Sequence, residues 1–343
     1  MAESTAVRIR CAPAHSAAST LLDPVHALLE AIVRLEHPVD AGRIFHGRGG
    51  LYPGCEHWSL DAYPPVLVLT SFRPMAEAEI AIVGRALADR WQHLDAGPLN
   101  WVLQIRQGGG RTETLRMAGS VPEAHEVTED GLRYRVHVMR GQNHGLFLDM
   151  ASGRRWVRDH IAARIASDAA VRAAGGWTPR LKVLNLFAYT CAFSVAALHA
   201  GADQVLNMDM SSGALAIGQQ NHRLNGLEGG ASFLGHDIFK SWGRIGREGP
   251  YALAIVDPPS FQKGSFVATK DYARIVRRLP ELLAPGGHAM LCLNAPELGP
   301  EFLQALVQAE APALHFVERL ANPPAFADAA PERALKVLIY RAD

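Results

Sequence analysis

LKVLNLFAYTCAFSVAALHAGADQVLNMD, residues 181–209, decides the fold. An apolar run at 181–187 ends in a polar turn at 188–192, a helical segment follows at 193–200, and a short strand occupies 204–209. Downstream, residues 212–225 predict another helix, with Asn221 and Asn225 near its end and Gly226 as its stop. Short strands recur at 231–235, 251–256 (YALAIV) and 287–293 (GHAMLCL), with helical stretches at 270–283. Strands alternating with helices indicate a parallel, doubly wound sheet. The last thirty residues break the alternation: ALHFVERL (313–320) and RALKVLIYR (333–341) read as strands joined only by the loop ANPPAFADAAPE. Without a crossover helix the two must pair antiparallel. The expected fold class is α/β, with five β/α units closing in an antiparallel hairpin.

The N-terminal half is different. Residues 22–34 read as a helix, IFHGRGGLYPG (44–54) as a Gly/Pro-rich turn region, and PVLVLTSF (65–72) as a buried strand. A long helix is predicted at 76–94, a strand at 101–106, a flexible loop at GGGRTE (108–113) and an alternating strand at LRYRVHVM (132–139). This predicts two domains: a smaller α+β unit over 1–125, serving as a substrate platform, and the doubly wound unit over 126–343.

Composition sets limits. The 343 residues carry 34 basic and 34 acidic side chains, with 48% hydrophobic residues and a mean hydropathy of +0.01. That excludes a disordered chain, and it excludes bulk charge as the force holding an anionic polymer. Residues 1–160 hold 17 Arg against 18 acids, and residues 161–343 hold 17 basic residues against 16 acids, so neither half is basic. Arginine outnumbers lysine 29 to 5. The four cysteines (11, 55, 191, 292) form no CxxC, hence neither a zinc pattern nor a disulfide framework. With no signal-peptide core and no membrane-length apolar run, a soluble, cytoplasmic protein without metal or membrane partner is expected.

In a doubly wound sheet, ligands sit beyond the carboxyl ends of the strands. Those ends carry Asn185–Thr190, Asp209, Asp237, Asp257-Pro258-Pro259-Ser260-Phe261 and Asn294-Ala295-Pro296. The first loop, NLFAYTCAF, lacks the glycines of a phosphate cradle. Asp209, at the second strand end, suits both hydroxyls of a ribose. Ribose recognition without a pyrophosphate cradle points to S-adenosylmethionine as cofactor, with Asp237 placed to accept from an adenine amino group. A single strand-end Asp is most often a helix N-cap; together these favour a ligand.

The blocks VLNLFAYTCAFSVAALHAGADQVLNMDMSSGALAIGQQNHRLNGL, DPPSF and LAPGGHAMLCLN, with GQNHGLFLDM (141–150) and RIFHGRGGLYPG (43–54) upstream, resemble the bacterial large-subunit (23S) ribosomal RNA methyltransferases, class I S-adenosylmethionine-dependent enzymes with a guanine-N7 and a cytosine-5 branch. The resemblance covers about residues 40–343. It implies a cofactor pocket lined by Gln142, Phe147, Asn185, Phe187, Tyr189, Thr190, Asp209, Asp237 and Asp257, and ribosomal RNA as partner. Two positions depart from the family pattern: Cys191 stands where a glycine is usual, and Ala151 where an arginine is.

The target atom sets the remaining requirements. Cytosine C5 needs covalent attack by a cysteine thiolate, whereas guanine N7 offers a lone pair and needs only positioning. The resemblance implies that the cytosine-5 branch holds its cysteine at the tip of the fifth strand, where this chain has Asn294, as in the guanine-N7 branch. Cys292 lies two residues deeper and reads as a small buried hydrophobe. The expected catalytic group is Asp257 and Pro258 as acceptors, Asn294, and Phe261 to stack on a flipped base. Arg133, Arg135, Arg140, Arg154, Arg155 and Arg158 are candidates for a basic face. A methyltransferase acting on a small molecule or protein, a cytosine-5 enzyme and a non-catalytic RNA-binding protein stay open as alternatives.

Overall fold

The computed structural model describes residues 25–107, 112–259, 261–262 and 266–343, with Phe261 and Gln262 described by backbone alone. The first half builds a five-stranded sheet. After α1 (His26–Val33) come β1 (Gly42–His46), β2 (Trp58–Tyr63), β3 (Val66–Ser71), α2 (Glu77–His93), β4 (Asn100–Arg106) and β5 (Thr112–Ala118). The strand order is β1-β2-β3-β4-β5, antiparallel except for β3 and β4, which run parallel through the α2 crossover. Val83, Leu87 and Trp91 recur every four residues on α2 and join α1 against one face of the sheet. The other face carries Val66, Val68 and Val102, which pack on a hairpin of β6 (Glu126–Glu129) and β7 (Leu132–Arg135) and on Val195 and Ala196 of the second half. Covered on both faces, β2 and β3 are buried along their whole lengths, so that even the polar Ser59 and Asp61 of β2 and Thr70 of β3 are out of solvent.

The second half begins with α3 (Ala151–Ala173) and continues through β8 (Lys182–Leu186), α4 (Ala192–His199), β9 (Gln204–Met208), α5 (Ser212–Leu224), β10 (Ala231–Leu234), α6 (Trp242–Glu248) and β11 (Tyr251–Val256). A two-residue ladder of β12 (Phe261–Gln262) and β13 (Phe266–Val267) precedes α7 (Ala268–Val276) and α8 (Leu279–Leu282). The chain ends with β14 (Leu283–Leu293), α9 (Pro300–Glu310), β15 (Leu314–Arg319) and β16 (Lys336–Ala342). The sheet order is β10-β9-β8-β11-β14-β16-β15, with five parallel strands and then antiparallel β16 and β15. The expected sheet and its closing hairpin are therefore present.

Several sequence expectations fail locally. The strand predicted at 132–139 stops at Arg135: Val136 and Val138 stay buried, but the chain turns out of ladder pairing, with Val136 N donating to His125 O and His137 N to His144 O. The helix predicted across 270–283 is two helices plus the start of β14. The flexible loop at 108–113 falls partly outside the described residues, while Thr112 and Glu113 belong to β5. Strands β2 and β5 and helices α3, α6 and α9 had no counterpart in the sequence reading.

Candidate active site

The turn after β8 is held in an unusual backbone conformation. Phe187, Tyr189 and Cys191 all have positive φ, at 58°, 46° and 61°. Left-handed backbone costs a non-glycine residue roughly 1 kcal/mol or more, and such residues cluster at functional sites. A glycine would carry no such cost at 191. The cysteine is accommodated because Gly218 of α5 faces it: a Cβ on Gly218 would stand 2.5 Å from Cys191 Sγ. The turn is secured by Ala188 N donating to Met208 O and by Thr190 Oγ1 donating to Gly145 O at 2.6 Å.

Asp209 sits at the end of β9 with Oδ2 accepting from Tyr189 N and Oδ1 from Ser211 N, both at 2.8 Å. A carboxylate offers about four acceptor positions, so two stay open for ligand hydroxyls. Exposed Met210 flanks it with apolar surface. This donor set fits the ribose of S-adenosylmethionine. Asp237 ends the next strand and caps the short turn at 238–240, its Oδ1 accepting from Phe239 N at 2.8 Å. Its other oxygen lies 3.7 Å from Lys240 Nζ. Asn185 and Thr190 stand differently: both are buried, and Asn185 Nδ2 donates to Asn207 Oδ1. Asn207 in turn donates to Ser194 Oγ, which lies 2.9 Å from His222 Nε2. These two side chains brace the strand ends from below. Phe187 packs edge-on against Phe266, their centroids 5.3 Å apart.

Beside this edge, between the two sheets, lies a cavity of about 640 Å³. Gln142, Phe147 and Asn294 line it, and the Phe147 ring lies 5.1 Å from that of Tyr189, which joins the cavity to the cofactor edge. Asn294 is exposed at the end of β14. The carbonyl of the next residue, Ala295, accepts from the fully buried Lys336 Nζ at 2.7 Å, which fixes the tip. Asp257 follows β11, with Pro258 buried after it. Burial raises the Asp257 carboxyl to about 7, and the like charge of Asp149 adds to this while Arg154 opposes it. Burial also raises Asp149, against the pull of Arg43 and Arg154. Cys292 is fully buried, and burial pushes its thiol well above the usual range. Phe261 pairs with Val267 through its backbone; its side chain lies outside the described residues.

The arginine expectation needs correction. Arg133 and Arg135 pair with Glu126, Arg155 with Asp130, and Arg158 with Asp159. Arg154 is buried and bidentate to Glu129, at 2.6 and 2.7 Å, and it donates to Phe147 O at 2.9 Å. Burial opposes its charge, yet Glu129 outweighs burial and holds its pKa above the ordinary value. Acids on the β6–β7 hairpin thus neutralise most of the expected basic face. The arginines that line the cavity come from elsewhere: Arg43, Arg48 and Arg106 from the first half, and Arg333 from the loop before β16. Arg43 is paired with Asp61 at 2.7 and 3.0 Å. None of these stood among the arginines expected from the sequence to form a basic face, although Arg43 and Arg48 lie in the quoted stretch RIFHGRGGLYPG.

Comparison with known proteins agrees with this architecture. A family model described as S-adenosylmethionine-dependent methyltransferase matches residues 42–341, spanning both sheets. A ribosomal RNA large subunit methyltransferase I from Aeromonas salmonicida (strain A449) is 28% identical over 235 residues, which cover 67% of this chain and 55% of that protein. Its counterpart from Serratia proteamaculans (strain 568) is 29% identical over 279 residues, covering 80% and 65%. The chain therefore spans a little over half to two thirds of the length of these curated relatives. A SAM-dependent methyltransferase from Streptococcus mutans shares the fold, with a TM-score of 0.73 at 21% identity over 93% of this chain and 81% of that one.

Proposed function

The chain belongs to the S-adenosylmethionine-dependent methyltransferase family, and on that premise we propose that it methylates a base of ribosomal RNA without a covalent cysteine intermediate, in the manner of guanine-N7 transfer. One observation carries the non-covalent part: the strand tip beside the cavity presents exposed Asn294, while Cys55, Cys191 and Cys292 are all buried. The RNA part is supported by the relatives named above, both ribosomal RNA methyltransferases.

Asp209 would hold the ribose and Asp237 the adenine amino group. Tyr189, Phe147, Gln142 and Asp257 would line the remainder, with Phe187, Asn185 and Thr190 keeping the turn in shape. Bound S-adenosylmethionine supplies an electrophilic methyl group on a sulfonium. The protein's task is then to align the acceptor, which can supply most of the rate enhancement of an in-line displacement. Asn294 and the Pro258 carbonyl orient the base edge. Asp257, once ionised, stabilises the positive charge that an N7-alkylated purine acquires. Phe261 is assigned to stack on the flipped base.

The test is incubation with isotopically labelled cofactor and undermethylated ribosomal RNA, free and in subunits, followed by nucleoside mass mapping. Label in a 7-methylguanosine peak is expected. Label that never enters RNA, or a protein–RNA adduct trapped through cysteine, overturns the reading.

A further inference from the structure

The cavity wall supplied by the first sheet contains two arginines that form no ion pair among the described residues. Arg48 lies with its guanidinium 4.1 Å from the centroid of Phe72, and Arg106 lies 5.5 Å from the same centroid. Phe72 follows β3, Arg106 ends β4, and Arg48 sits in the turn after β1, so three separate segments bring this group together. Among the described residues Arg106 donates to neutral oxygens, Gln104 Oε1 at 2.6 Å and Gln142 O. Arg48 has no ion pair among the described residues. The nearby acid, Asp61, is engaged by Arg43. Burial works against both charges; Arg43 adds repulsion at Arg48, and at Arg106 the field of Asp61 partly offsets burial while Arg48 adds repulsion.

A third feature points into the same space. His144 is 5% exposed and lines the cavity, with neither ring nitrogen in hydrogen-bond geometry with a partner among the described residues, although the backbone of His137 favours its charged form slightly. Burial and the Arg106 charge lower its pKa to about 4, so near neutrality it is an uncharged ring with one donor and one acceptor. Buried polar atoms without partners are rare and call for a ligand or water.

We infer that Arg48, Arg106 and His144 form a phosphate-binding station, which takes a backbone phosphate of the RNA strand whose base enters the cleft. The inference rests on the RNA reading above and extends it from the base to the backbone. The chemistry is that of an oxyanion. Guanidinium groups give planar, charge-assisted hydrogen bonds to phosphate, and an anion between the two arginines removes their mutual repulsion. Such contacts fix register while carrying no sequence information. They also suit a chain with no net charge, because the grip is local.

The test measures binding of a single-stranded RNA oligonucleotide by fluorescence anisotropy across a salt series. Wild type is compared with Arg48→Gln/Arg106→Gln and with Arg85→Gln, which removes a charge from the exposed side of α2. Each lost phosphate contact should flatten the log–log salt slope by about 0.7. The double variant is expected to lose at least one such step and roughly tenfold in affinity at low salt, with S-adenosylmethionine binding unchanged. Arg85→Gln should match wild type, and Arg48→Lys/Arg106→Lys should regain most of the slope, since charge is kept. A parallel arm follows the melting temperature in millimolar inorganic phosphate, which should rise for wild type and not for the Gln variant. Equal salt slopes in wild type and the Gln variant overturn the station, even if RNA binds. If wild type binds no RNA but phosphate still stabilises it through these arginines, the RNA reading fails and an oxyanion site stands. If neither probe responds, both fall.

Discussion

The two walls of the cavity are built in opposite ways. On the methyltransferase side the functional groups are acids and amides at the ends of parallel strands, and the protein itself answers them. Asp209 and Asp237 accept backbone N–H groups, and Asp257 is held at a pKa of about 7. On the first-sheet side the groups are arginines, two of which form no ion pair among the described residues. One wall fixes its polar groups with the protein's own backbone, and the proposed phosphate would complete the other. Parallel strands end together by construction, so a single edge collects residues that recur at regular intervals in the chain. An antiparallel sheet with one crossover has no such common edge, and its contribution comes from turns.

The tie between the walls gives the largest expected effect. Arg154 of α3 binds Glu129 of the hairpin and the Phe147 carbonyl. Arg154→Met leaves Glu129 buried without a partner and should cost about 3–5 kcal/mol in denaturant unfolding. Arg155→Met, which removes a surface pair with Asp130, should cost no more than about 1 kcal/mol. Similar losses for the two would dissolve the distinction between tie and surface pair.

Asp209→Ala acts on the methyltransferase wall alone. Loss of charge-assisted hydrogen bonds to a ribose, each worth about 1.5–3 kcal/mol, should weaken S-adenosylmethionine in calorimetry by about a hundredfold. RNA anisotropy should be unaffected, and a matching loss of RNA affinity would show that the walls do not act separately.

Asp257 gives a smaller, pH-dependent effect. Its carboxyl is raised in the fold to about 7 from an ordinary 3.8. Between about pH 4 and 7 the folded chain keeps a proton that the unfolded chain has released, so stability falls as pH rises through this window. Asp257→Asn should therefore stabilise the protein by about 1–2 kcal/mol at pH 8 and leave it nearly unchanged at pH 4. Thermal melts at the two pH values decide this, and a variant equally stabilised at both would refute the raised carboxyl. Methyl transfer by the wild type should rise through about pH 7 as the carboxylate forms.

The smallest effect on activity is expected from Cys292→Ser. The thiol packs in the core beneath the strand tip, so the folded variant should keep activity within about threefold, despite roughly 1–3 kcal/mol lost through burying a hydroxyl. Activity abolished in folded protein would return the cytosine-5 mechanism.

The doubly wound half was legible because its strands are short apolar runs set between helices, and the acids at their tips follow directly from that periodicity. Helix α3 was not. Gly153, Val157 and Ile161 repeat every four residues on its buried face, but Arg154 and Asp168 share that burial, so the apolar stripe is narrow and interrupted. Strand β5 alternates weakly, its residues mostly exposed. The arginines misled for a related reason: Arg133 to Arg158 cluster in sequence, yet Glu126, Glu129 and Asp130 stand opposite them once the hairpin folds back on α3.

The sequence alone determined the alternation that makes a parallel sheet, its antiparallel close and the row of Asp209, Asp237, Asp257 and Asn294, because local hydrophobic period and strand ends are properties of contiguous residues. Tertiary structure alone decided which charges stay free. Arg48 and Arg106 are 58 positions apart and gain meaning only when both reach Phe72, while the charge of Arg154 is answered by a partner 25 residues away. Charge balance is a sum over pairs in space, and the chain's zero net charge carries no record of how those pairs form.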